Sequence, residues 1–60
     1  SNADKLAFNK ALREAKTKEQ EGLFAEALKF YQQADGIFSA HDKLKKKIKH
    51  LLQKIPAKVR

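Results

Sequence analysis

The chain has 60 residues, with fourteen Lys/Arg against seven Asp/Glu for a net charge of +7, 42% hydrophobic residues and no cysteine. This length bounds it at one small-cored domain, and its balance of apolar and charged residues fits a globular helical piece rather than a disordered one. Lacking cysteine, it has no disulfides, thiolate chemistry or cysteine-held metal; an unstapled domain this small is expected to be intracellular, in the nucleus or cytoplasm.

Ser1-Asn2-Ala3 reads as the scar of a cleaved tag. Residues 4–55 then form the domain and 56–60 a truncated linker, so the chain reads as an excerpt of a larger protein. No apolar run approaches the ~18 residues of a membrane span.

The first predicted helix runs from Asp4 to Gln20, with Leu6, Phe8, Ala11, Leu12 and Ala15 mostly at three- and four-residue steps and Asp4 or Asn2 as the cap. Gly22 is the stop, since glycine enters the left-handed turn without penalty. The second helix spans Phe24 to Phe38. Phe24, Ala27, Leu28, Tyr31, Ala34 and Phe38 share one face, and Leu23, Phe30 and Ile37 repeat every seven on another. Apolar residues on two sides predict a central helix between two neighbours. The third helix runs from Ala40 to Ile55, with Ser39 and Asp42 as a weak capping pair. Leu44, Ile48, Leu51, Leu52 and Ile55 form its stripe, and Pro56 ends it. Short connections make this an all-α, three-helix up-down-up fold.

Charge is segregated. Residues 1–42 hold six Lys/Arg and seven Asp/Glu, whereas residues 43–60 hold eight Lys/Arg and no acid. Lys43, Lys45, Lys46, Lys47, Lys49 and Lys54 crowd the polar side of the third helix, with Lys58 and Arg60 beyond it. Four readings stay open: a solvated outer face, an acidic protein segment, nucleic-acid phosphates, and a membrane surface or import signal. Sequence-specific DNA reading is disfavoured, because lysine predominates over arginine and only Gln53 accompanies the lysines for base-edge contacts, and single-strand binding because no aromatic interleaves the run; a nucleic-acid contact would be nonspecific backbone attraction.

No nucleophile–base pair, phosphate loop or metal spacing appears, so no catalytic, cofactor or metal site is expected. His41 and His50 read as solvated residues. Glu14, Glu19, Glu21 and Glu26 read as mostly exposed helix formers, some with i,i+4 partners. Tyr31 reads as a core residue whose hydroxyl reaches the edge, and Gly36 as a packing or helix-end residue.

The run Gly22, Phe24, Ala27, Tyr31, Ala34 resembles the tetratricopeptide repeat, in which a glycine turn is followed by alternating aromatic and alanine positions. The resemblance covers residues 8–41, one repeat, with the third helix in the place of a cap. It departs from the pattern at Lys18, where an aromatic is usual, at Ser39, where proline often sits, and at Gly36. A single repeat is also fewer than the three or so of a stable array. The stretch from Glu21 to Ile48, with EAL at 26–28 and ADGIF at 34–38, is most similar to the N-terminal repeat of the Polo-interacting checkpoint helicase family of Swi/Snf-type DNA translocases. That resemblance implies an interaction module beside a motor, with no motor in this chain. The glycine-EAL-tyrosine signature also resembles the microtubule-interacting and trafficking domain, which binds helical tails, although its second helix usually runs past Ser39. A protein segment, helical or extended, is therefore the expected partner, on the apolar anchors Phe8, Leu12, Leu23, Phe30 and Ile37. Self-association could cover the same surface in the isolated chain.

Overall fold

The structure, a computed structural model, describes residues 1–39 and 42–57. It is all-α, with three helices in chain order: α1 (Asn2–Gln20), α2 (Phe24–Ile37) and α3 (Asp42–Lys54). No strand occurs among the described residues.

α1 begins two residues before its expected start. Ser1 is its cap, accepting a hydrogen bond from the Asp4 amide at 3.3 Å, so the residues read as a scar are part of the helix and its cap. The other end behaves as the glycine predicts. Gly22 has φ +80°, its amide donates to the Glu19 carbonyl at 3.0 Å, and the Leu23 amide donates to the Lys18 carbonyl at 2.9 Å. This pair of bonds is a Schellman closure, which satisfies carbonyls that the end of a helix leaves open. The chain then reverses directly into α2.

The α1–α2 hairpin is sealed by small side chains. Ala11 and Ala15 of α1, and Ala27 and Ala34 of α2, are all at most 3% exposed and belong to one core. Alanines on both partners let the helix axes approach closely. α2 ends at Ile37, and Phe38 turns to extended backbone, with its amide still bonded to the Ala34 carbonyl. Gly36 lies in the last turn, and among the described residues no side chain comes within 4 Å of where its Cβ would be, as befits a helix-end residue.

α3 docks on the other side of α2 through Leu44, Leu51 and Ile55, all buried, with Ile48 and Leu52 partly buried beside them. Leu51 is the fully buried member of the stripe. The expected start at Ala40, with the neighbouring His41, lies outside the described residues; the helix ends at Lys54, one residue before the expected Ile55. α2 is the central helix. It packs against both neighbours, whereas the α-carbons of α1 and α3 stay more than 8 Å apart among the described residues. Phe30 lines a hollow with Arg13, Glu14, Thr17 and Lys18 of α1, while Phe24 and Tyr31 meet α3.

Candidate functional site: the groove between the first and third helices

Because α1 and α3 both pack on α2 without meeting along their backbones, a groove runs between them. Phe8 and Leu12 of α1, Tyr31 of α2 and Leu44 of α3 supply its apolar surface, and Lys16, Lys43 and Lys47 its charge, around a volume of about 330 Å³. Four-residue spacing places Phe8, Leu12 and Lys16 on one face of α1, and Lys43 and Lys47 on one face of α3. The Phe8 ring also meets the Phe38 ring at 5.2 Å and 58°, a tilted contact that ties the start of α1 to the end of α2.

One polar cluster bridges all three helices. The Tyr31 hydroxyl donates to Glu19 Oε1 at 2.8 Å, and Lys47 Nζ donates to Glu19 Oε2 at 3.0 Å. Burial works against the charge on Glu19, but the hydrogen bonds from Tyr31 and Lys47 and the attraction of Lys47 and Lys54 outweigh it, holding the carboxyl below its usual range. The same arrangement acts in reverse on Tyr31. Burial first, then its bond to the Glu19 carboxylate and the nearby negative charge, push the phenol up to about 12. Tyr31 is 3% exposed, a core residue with its hydroxyl at the edge, as expected. Glu19 is not the exposed helix former that its lysine-rich neighbourhood suggests, and its role was missed. Its partners lie twelve and twenty-eight residues away in sequence, so no local pattern reveals it.

The structure divides the apolar anchors expected from sequence. Phe8 and Leu12 share the groove. Phe30 is half-buried on the opposite flank of α1. Leu23, at the head of α2, is 45% exposed, and Ile37 is half-buried at its end. Phe30 thus lines a different hollow from Phe8 and Leu12.

The lysines divide as well. Lys47 is engaged by Glu19, and Lys54 Nζ lies 5.3 Å from the centre of the Phe24 ring. Lys43, Lys45, Lys46 and Lys49 are exposed. Lys43, Lys46, Lys47 and His50 border a second shallow hollow on α3. His50 is exposed and His41 lies outside the described residues. Asp35 Oδ1 is buried and finds no hydrogen-bond partner among the described residues. No group of three or more potential metal ligands gathers among them, and no helix there is long and apolar enough to cross a membrane. Comparison with known proteins found no matching family model, no similar curated protein and no similar solved structure.

Proposed function

We propose that this chain is a non-catalytic protein-interaction module of the tetratricopeptide type, which takes a segment of a partner protein in the groove between α1 and α3. The observation that carries this reading is the groove itself, an open channel floored by Phe8, Leu12, Tyr31 and Leu44 rather than a site built around reacting groups. Exposed apolar surface on a small domain favours docking, and helix-in-groove binding suits a helical hairpin. The Schellman turn at Gly22 and the buried alanines at 15, 27 and 34 suit the repeat reading. So does the end of α2 at Ile37, which is short for the microtubule-interacting and trafficking alternative. The role of an accessory repeat in an intracellular Swi/Snf-type translocase, of the nucleus or cytoplasm, belongs to the same proposal.

The second reading is nonspecific nucleic-acid binding through α3, favoured by four exposed lysines, Lys43, Lys45, Lys46 and Lys49. A pull-down with two variant sets, each checked for intact folding by circular dichroism, separates the two. Phe8→Ala with Leu12→Ala is expected to abolish partner capture, and joint charge reversal of Lys45, Lys46 and Lys49 to weaken it less. Loss of capture in the charge-reversed set alone, with duplex DNA binding that falls steeply with salt, overturns the protein-groove reading.

A further inference from the structure

The groove has two kinds of wall, and together they describe a guest. Its floor is apolar, and both rims are cationic, Lys16 on the α1 side and Lys43 with Lys47 on the α3 side. No acidic side chain lines it among the described residues. Lys47 is held by Glu19, whereas neither Lys16 nor Lys43 takes part in an ion pair among the described residues. Phe8, Leu12 and Lys16 span eight residue steps of α1, about 12 Å at 1.5 Å per step. A guest helix of two to three turns presents i, i+4 and i+7 anchors over that distance.

Resting on the interaction-module reading, we propose that the α1–α3 groove binds a short acidic amphipathic helix of a partner protein, with its apolar stripe on Phe8 and Leu12 and its carboxylates on Lys16 and Lys43. Charge complementarity selects this guest. A second copy of the chain brings another +7 to a groove already walled by lysines, and like charges across an interface are costly. A nucleic-acid backbone satisfies the lysines and leaves the apolar floor in water. An apolar helix without acids covers the floor and strands both lysine rims against it.

The test uses two helical peptides of about 15 residues, long enough to form some helix alone. They share one leucine stripe, flanked in one by Glu and in the other by Lys. Each is titrated into the intact chain and followed by amide chemical shifts and fluorescence anisotropy. The Glu peptide is expected to shift Phe8, Leu12 and Leu44 and to bind at least about tenfold more tightly than the Lys peptide, with the gap narrowing as salt is added. Joint Lys16→Glu and Lys43→Glu, both at exposed positions, are expected to reverse that preference while leaving the helical spectrum unchanged. Equal binding of both peptides in the groove overturns the acidic requirement and leaves the interaction-module reading standing. Binding of neither peptide overturns the proposal. Shifts confined to Lys45, Lys46 and Lys49 and reproduced by short duplex DNA overturn both the proposal and the module reading.

Discussion

Glu19 accepts from a tyrosine on α2 and a lysine on α3 at once, so its protonation state bears on all three helices. Its carboxyl titrates below the ordinary 4.5 in the folded chain, so the folded state binds fewer protons there than the unfolded one. Its stabilisation is present above about pH 4.5 and is lost as pH falls through the lowered value. Tyr31 has the opposite sign. Its phenol is pushed from 10 to about 12, so its contribution is present below pH 10 and is lost as pH rises toward 12. Ultraviolet titration of the single tyrosine is expected to show a midpoint near 12, and Glu19→Gln to bring that midpoint down by removing the neighbouring charge. A midpoint unchanged by Glu19→Gln would show that the two groups are not bonded in solution. Tyr31→Phe deletes one hydrogen bond to a charged acceptor and is expected to cost about 1.5–3 kcal/mol in thermal or urea unfolding. The ion pair adds less, because the Lys47 side chain is 41% exposed and screened.

The helices and the glycine turn between the first two were the most legible features of the sequence. Gly22, the Leu44–Ile55 stripe and the alanine-rich hairpin face each carry a local signal, whether a backbone constraint or a three-to-four-residue period. The two glycines now separate by environment. Gly22→Ala puts a Cβ on a left-handed backbone (φ +80°) and is expected to cost about 1 kcal/mol. Gly36→Ala places a methyl in open space within a helix and is expected to add about 0.5–1 kcal/mol. A shared sign of the two effects in thermal melts would refute the turn geometry. Ala27 is wholly buried in the core, so Ala27→Leu is expected to cost about 1–3 kcal/mol by overpacking. Leu51→Ala is expected to cost about 2–5 kcal/mol, and more than Ile48→Ala, since only Leu51 is fully buried. What stayed illegible was the choice of partner for each face. The heptad spacing of Leu23, Phe30 and Ile37 marks them as apolar without saying which neighbour they meet. Phe30 goes to the flank of α1 and Leu23 toward solvent, and nothing in the local sequence distinguishes them. The same holds for the lysines, of which Lys47 and Lys54 find partners inside the fold.

At the scale of the whole molecule, backbone packing among the described residues joins only helices that are neighbours in sequence, α1 with α2 and α2 with α3. Native amide hydrogen exchange is expected to follow that order, with slower exchange in the α1–α2 hairpin than in α3, whose loss leaves the hairpin contacts intact. Uniform protection in all three helices would instead mean a single cooperative unit. Neighbour-only packing also has an energetic consequence. Perturbations at the two ends of such a chain meet chiefly through α2, so their free energies are expected to add closely. Ala11→Gly in α1 and Leu51→Ala in α3, measured singly and together, are expected to sum within about 0.3–0.5 kcal/mol. Glu19 and Lys47 are the exception to that independence, since their contact crosses from the first helix to the third. A double-mutant cycle on this pair measures how far the ends sense each other. In thermodynamic terms the protein is a line of three links with one cross-tie.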